Sequence, residues 1–344
     1  MALRRLVLAG LPTCRLAKRF GTSSTQAAFN QPLTIDELPR PGGIASFLRL
    51  PVQNTSEGLD ACFVGIALDS ATCNRPGARF GPREIRVASA FLRSANKDTG
   101  ARPFDSLQVA DIGDLYVNMY DLQETCDHIT KGMSRVIANG CRPLTLGGDH
   151  SITYPILRAF KDKYGPVAVV HVDAHTDTNP TMNGSKIAHG TPFFRAHEEG
   201  LVDPHKVVQI GIRGPAWETQ ESKRGMDWGY RVVPARDCWG KSLAPLMQEV
   251  RDMVGDAPVY ISFDIDALDP AFAPGTGTPE IAGLTSYQGL EIIRGCKGLN
   301  IVGADLVEVS PPYDVAAVTA FTGANYLYEM LCVLPGVVHD QIPV

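Results

Sequence analysis

Along most of the chain, hydrophobic residues fall into short unbroken runs separated by polar, glycine-rich turns. Runs of strand length occupy Ala61–Ile66, Leu107–Ile112, Arg142–Leu146, Val167–Val172, Val207–Ile212, Val259–Phe263 and Ile301–Val307. They are continuous rather than alternating, as in strands covered on both faces. Between them, apolar positions recur at helical spacing over Leu122–Ile137, Tyr154–Phe160, Leu243–Val254, Tyr287–Ile293 and Ala320–Leu331. Strands alternating with helices predict an α/β fold, a mainly parallel sheet inside three α/β/α layers. In such sheets ligands gather beyond the carboxyl ends of the strands.

The first 35 residues break this pattern. They contain no acidic residue, five basic ones (Arg4, Arg5, Arg15, Lys18, Arg19) and a Ser/Thr cluster at 22–25. That is the composition of a mitochondrial transit peptide, which predicts a matrix protein once it is removed. Residues 36–58, with Pro41-Gly42-Gly43, read as an arm, and 59–344 as a single domain.

Composition narrows the partners. A formal net charge of -5 offers no broad basic field for nucleic acid. No apolar run is long enough to span a bilayer. The eight cysteines include no C-x-x-C pair, which argues for free thiols in a reducing compartment and against a structural zinc knuckle. A small molecule is the expected partner.

The polar residues that follow three of the runs carry the chemistry. Val167–Val172 leads into Asp173-Ala174-His175-Thr176-Asp177, and Val259–Phe263 into Asp264-Ile265-Asp266. If the chain stays extended there, the spacing of two puts each set on one face. Arg142–Leu146 leads into Gly147-Gly148-Asp149-His150, where the glycines permit a tight turn. Six of these side chains, His150, Asp173, His175, Asp177, Asp264 and Asp266, would meet at one sheet edge. Carboxylates so close repel and are costly to desolvate, a conflict that divalent cations resolve. Oxygen and imidazole donors without thiolate suit manganese better than structural zinc.

These stretches resemble the signatures of the ureohydrolase family, which includes arginases, agmatinases and other guanidino hydrolases. Gly147–His150, His171–Asp177 and Ser262–Pro270 carry the likeness, supported by Asn74–Arg86 and Pro274–Thr285. It runs from about Gly58 to the last helix and is most similar to mitochondrial agmatinase-type members. The resemblance implies an arginase-like fold, two Mn2+ per subunit and a trimer or hexamer. It implies that His150 and Asp177 bind one metal, His175 and Asp266 the other, and that Asp173 and Asp264 bridge both. It further implies that a hydroxide between the metals attacks the guanidinium carbon, releasing urea and an amine. Glu308, in Val307-Glu308-Val309-Ser310, matches the guanidinium-binding glutamate, and His189 the proton-shuttling histidine; Asp177 would also pass a proton to the leaving nitrogen.

The tail of the substrate is read from departures. The turn Gly211-Ile212-Arg213-Gly214-Pro215 has no acid before Glu218, unlike the arginases, which argues against arginine. The loop from Thr178 to Ala188 contains Asn183 and Lys186 and no carboxylate. Asn183, Lys186 and Arg213 are therefore candidate partners of the tail. They would suit the carboxylate of an ω-guanidino acid such as 4-guanidinobutyrate better than the ammonium of agmatine. Both stay open, with arginine hydrolysis, single-zinc amide deacetylation and a non-catalytic metal-loaded scaffold as the other readings.

Overall fold

A computed structural model describes residues 29–216 and 221–342. Residues 1–28 of the predicted presequence lie outside that range, as does Glu218. The strands are β1 (Ala61–Gly65), β2 (Ala101–Arg102), β3 (Val109–Asp114), β4 (Arg142–Leu146), β5 (Val167–Val172), β6 (Val202–Ile212), β7 (Arg231–Pro234), β8 (Pro258–Asp264), β9 (Asn300–Val307) and β10 (Val338–His339). The helices are α1 (Gly81–Ser89), α2 (Leu122–Ile137), α3 (Thr153–Tyr164), α4 (Pro192–Glu198), α5 (Glu221–Trp228), α6 (Ala244–Val254), α7 (Ser286–Gly295) and α8 (Val318–Cys332).

Eight strands form one sheet in the order β3-β1-β4-β9-β8-β5-β6-β7, and every pairing in it is parallel. The "mainly parallel" expectation thus becomes an all-parallel main sheet, with β2 and β10 forming a separate antiparallel pair. Alternation along each strand divides the core. Ala61 and Phe63 of β1, with Ala168, Val170 and Val172 of β5, pack with α1, α6, α7 and α8. Cys62 and Val64, with Val167 and Val169, face α2, α3 and α4. Three layers result, and both faces of the sheet are dry. The continuous hydrophobic runs of the sequence have this cause.

Local signals fix the helix ends. Asp121 caps α2 by accepting from the Glu124 N–H, and Thr285 and Gln288 form a reciprocal capping box on α7. Edge strand β3 is covered by the arm: the Gln53 N–H donates to Asp111 O, the Asp111 N–H to Pro51 O, and the Phe47 N–H to the Asp111 carboxylate. Arg86 binds the same carboxylate at 2.8 Å, so the arm, α1 and β3 share one buried charge. This cover keeps an open sheet edge from pairing with another chain.

Three helices (α1, α4, α5) and the strands β2, β7 and β10 were not read from the sequence. Helix α1 begins Gly-Pro, α4 spans 7 residues, and β7 is four residues ending in Pro234. Each is too short to develop a period.

Candidate active site

The central strands β4, β9, β8 and β5 bring their carboxyl ends together, and the six predicted ligands converge there. His150 Nδ1 lies 3.0 Å from Asp173 Oδ2, 3.0 Å from Asp177 Oδ2 and 3.2 Å from Asp264 Oδ2. His175 Nδ1 lies 3.2 Å from Asp266 Oδ2 and 3.5 Å from Asp173 Oδ1. Asp173 therefore turns one carboxylate oxygen toward each imidazole. His150 and all four aspartates are buried, while His175 is partly exposed at the mouth.

The route to this convergence differs from the extended one expected. Asp173 accepts the His175 N–H at 2.6 Å and bends the chain, and Asp177 has φ of 51°, so a turn gathers this trio. Asp264 caps a 3-10 turn by accepting the Asp266 N–H at 2.8 Å. Gly147 and Gly148 have ordinary backbone angles, and their smallness serves packing instead. A Cβ on Gly148 would sit 1.9 Å from Leu68 O, and one on Gly147 2.6 Å from Val307 Cγ1.

The site concentrates buried carboxylates around two imidazoles. Burial raises the Asp177 carboxyl to about 7, with the Asp173 charge adding to it. Burial and then the neighbouring Asp266 charge push Asp264 well above the carboxylate range. Burial alone would lower His150, but Asp173, Asp177 and Asp264 outweigh it and hold the ring well above its ordinary value. Yet His150 Nδ1, fully buried, makes no hydrogen bond: the three oxygens surround it away from any N–H axis. An octahedral ion with bonds of about 2.1 Å places adjacent donor atoms about 3 Å apart. The cage spacing around His150 Nδ1 fits that arrangement, so the residues present suit a divalent cation.

His171 also touches the cage, and sequence reasoning missed it. Its Nε2 lies 2.8 Å from Asp173 Oδ2, and its Nδ1 2.9 Å from the Gln209 amide nitrogen. That amide also donates to Thr176 O at 2.7 Å, which fixes its orientation. His171 Nδ1 thus accepts and its Nε2–H donates to Asp173. With both nitrogens occupied, His171 orients Asp173 and adds no metal donor. The signal was available, since His171 sits two residues before Asp173.

Glu308 and His189 face each other beside the cage, with His189 Nδ1 3.8 Å from Glu308 Oε1. The Glu308 backbone has φ of 64°, a strained conformation of the kind that clusters at functional sites. Its N–H donates to Gly148 O, and its Oε1 accepts the His150 N–H at 2.9 Å. Gly277 keeps its Oε2 open: a Cβ there would crowd that oxygen at 3.3 Å. Burial, then the Asp149 charge, hold the Glu308 carboxyl well above its usual value. Burial, then the His175 charge, lower His189 to about 4, so the ring is neutral. His189 Nε2 lies 3.0 Å from Cys73 Sγ, a neighbour the sequence did not indicate.

The three candidate tail residues separate. Asn183 and Lys186 are exposed; Asn183-Gly184, both at positive φ, form the tip of a tight turn closed between Met182 and Ser185. Arg213 is committed elsewhere: its guanidinium donates to the carbonyls of Gly211, Asp266, Ala267, Leu268, Glu280 and Ile281. A cavity of about 590 Å³ opens beside His175, lined also by Arg213, Met226 and Arg236 and by neither Asn183 nor Lys186. Glu280 stands at the same mouth, 3.9 Å from His175 Nε2. The expectation of a mouth without carboxylate, drawn from one loop, missed this acid from another.

Residues 59–332 match the arginase family profile. The chain belongs to the arginase family. Among family relatives, agmatinase, mitochondrial, of Gallus gallus is 61% identical over 95% of this chain and 98% of its own. Guanidino acid hydrolase, mitochondrial, of Homo sapiens is 58% identical over 93% and 91%, and guanidinobutyrase of Pseudomonas aeruginosa 59% over 90% and 98%. Among solved structures, proclavaminate amidino hydrolase from Streptomyces clavuligerus superposes with a TM-score of 0.82 at 39% identity, over 86% of this chain and 99% of that one. The arginase-family fold and hydrolase class expected from the motifs are both supported.

Proposed function

We propose that this arginase-family hydrolase cleaves a linear guanidino compound to urea and an amine, with two Mn2+ in the cage. One observation carries the reading: Asp173 turns its two oxygens toward two different imidazoles, His150 Nδ1 and His175 Nδ1. A carboxylate so placed suits two adjacent cations. His150, Asp173, Asp177 and Asp264 would hold one, and Asp173, His175, Asp264 and Asp266 the other. Bound there, the cations supply the Lewis acidity that makes water nucleophilic near neutral pH.

The protein's own groups do the rest. Glu308 offers its open Oε2 to the guanidinium, a planar cation with several N–H donors. Water adds to the guanidinium carbon, and the C–N bond to the tail then breaks. Asp177 takes the first proton that water loses and gives it to the departing nitrogen; the second leaves the added oxygen as the C=O of urea forms and goes to the released amine, so urea and an alkylammonium leave with charge conserved. His189, neutral and facing Glu308, relays protons between the site and solvent.

The names of the relatives support a linear tail, since they include an agmatinase, a guanidino acid hydrolase and a guanidinobutyrase. Arg236 in the cavity wall favours a tail ending in carboxylate. Glu280 at the mouth favours one ending in ammonium, so agmatine is the second reading. Urea release from 4-guanidinobutyrate, 3-guanidinopropionate, agmatine and arginine by Mn2+-loaded protein tests both. Turnover of arginine alone, or acetate release from acyl amines, would overturn the assignment. We place the enzyme in the mitochondrial matrix on its basic, acid-free first 35 residues, in line with the mitochondrial relatives. Loss of import on deleting that segment is the corresponding test. Trimeric or hexameric assembly is checked by sedimentation.

A further inference from the structure

We propose that Ser262 and Asp305 form a buried relay that fixes the lone pair of His150 on Nδ1 and thereby sets the affinity of one metal position. The proposal rests on the two-cation reading above and concerns side chains that do not line the cage.

The directions of the hydrogen bonds follow from what each group can donate. Asp305 is fully buried and receives three hydroxyls: Thr153 Oγ1 at 2.7 Å and Tyr260 OH at 2.8 Å on Oδ2, and Ser262 Oγ at 2.7 Å on Oδ1. A carboxylate has no proton to give, so the single proton of Ser262 goes to Asp305. Ser262 Oγ also lies 2.9 Å from His150 Nε2. Its proton being committed, the hydroxyl accepts there, and Nε2 is the ring nitrogen that carries hydrogen. In the neutral ring, the form that binds a metal, the lone pair is left on Nδ1, the buried atom that has no hydrogen-bond partner and faces Asp173, Asp177 and Asp264.

The sheet holds the relay in place. Ser262 of β8 and Asp305 of β9 are direct register partners, and His150 follows β4 on the other side of β9. Thr153 opens α3 and Tyr260 lies with Ser262 on β8, so two elements orient one carboxylate of a third. Burying a carboxylate without a countercharge costs stability, and three hydroxyls offset this only in part. Its use is to give Ser262 a fixed direction. Asp305 and Ser262 are positioning residues: they act on the metal position through His150.

Titration of metal-stripped full-length protein with Mn2+ tests the relay by calorimetry. Ser262→Ala and Tyr260→Phe each remove one hydroxyl from Asp305, but only Ser262 reaches His150. We expect one of two Mn2+ equivalents to weaken about 10- to 100-fold in Ser262→Ala, as for removal of an outer-shell partner. The other equivalent, and both in Tyr260→Phe, stay within about twofold of wild type on the same basis. Ser262→Cys, whose sulfur accepts weakly, should fall between, and serves as the comparison if the alanine variant does not fold. Wild-type binding in Ser262→Ala, or equal losses in the serine and tyrosine variants, would overturn the relay. A wild-type protein that binds fewer than two Mn2+ would instead sink the two-cation reading beneath it.

Discussion

Replacing Arg213 by lysine separates two accounts of this residue. As a tail partner, Arg213 contributes a charge, and lysine keeps it. As a clamp, it contributes geometry: six carbonyls from three segments converge on one guanidinium. One of them belongs to Asp266 of the cage and another to Glu280 at the mouth. An ammonium has three donors on one point, so about half of those carbonyls lose their partner. Hydrogen bonds to a charged group contribute about 1.5–3 kcal/mol each. Arg213 stands at the rim with partial exposure, so solvent screening cuts the net loss to about 2–4 kcal/mol. With an unfolding entropy of roughly 2.1 cal/mol/K per residue, a chain of this size loses about 3–6 °C in Tm. Differential scanning fluorimetry reads that shift, and steady-state kinetics with 4-guanidinobutyrate and agmatine reads the site. The clamp predicts a lower Tm and kcat/KM reduced for both substrates together. An unchanged Tm with KM raised for the acid alone would refute it.

Four further outcomes are expected. Glu308→Gln should lower kcat/KM for urea release about 10²- to 10³-fold by leaving the guanidinium without its counter-charge, with Mn2+ stoichiometry unchanged in calorimetry. Gly148→Ala should cost more than about 3 kcal/mol, read as lost soluble yield or Tm, because the new Cβ would meet the Leu68 carbonyl at 1.9 Å. Chelation should abolish activity and lower Tm, both restored by Mn2+; free metal at about 1,000 times Kd stabilises by about 4 kcal/mol per site. Asp269→Asn should destabilise more at pH 7 than at pH 3. Burial would raise this carboxyl, but the N–H groups of Ala271 and Gly283 outweigh it and hold it below its usual value. Its contribution is therefore present above the unfolded pKa of about 3.9 and lost as pH falls through the lower folded value. Thermal scans of both proteins across that range check it.

The sheet was legible because burial on two faces demands uninterrupted apolar strands, and no other local pattern explains seven such runs. The cage was legible because its members follow those strands within five residues. What escaped were contacts between distant segments. Asp305 looks like any acid near a strand end, and only the β8–β9 register sets it beside Ser262. Cys73 and His189 are 116 residues apart and meet at 3.0 Å. Even where the right residues were chosen, the assumed local geometry was too simple. Asp177 and Glu308 reach the site through left-handed backbone angles, which no side-chain pattern reports.

The same limit governs specificity. Charge was counted along one loop, from Thr178 to Ala188, as if the mouth were made of neighbours in sequence. In the fold the mouth is assembled from the ends of β5, β6 and β8, and Glu280 arrives from the segment after β8. Arg213, counted as a free cation, is neutralised in function by carbonyls, although its charge remains. Under the proposed function, the charges to weigh are Arg236 in the cavity wall and Glu280 beside His175, with Lys186 outside the lining. The cluster of acids and histidines can be read from short motifs because each of its three strand ends carries its members within a few residues. The cavity beside it cannot, because its lining comes from the segments after β5 and β6, from α5 and from β7, and only the first of these carries a cage motif.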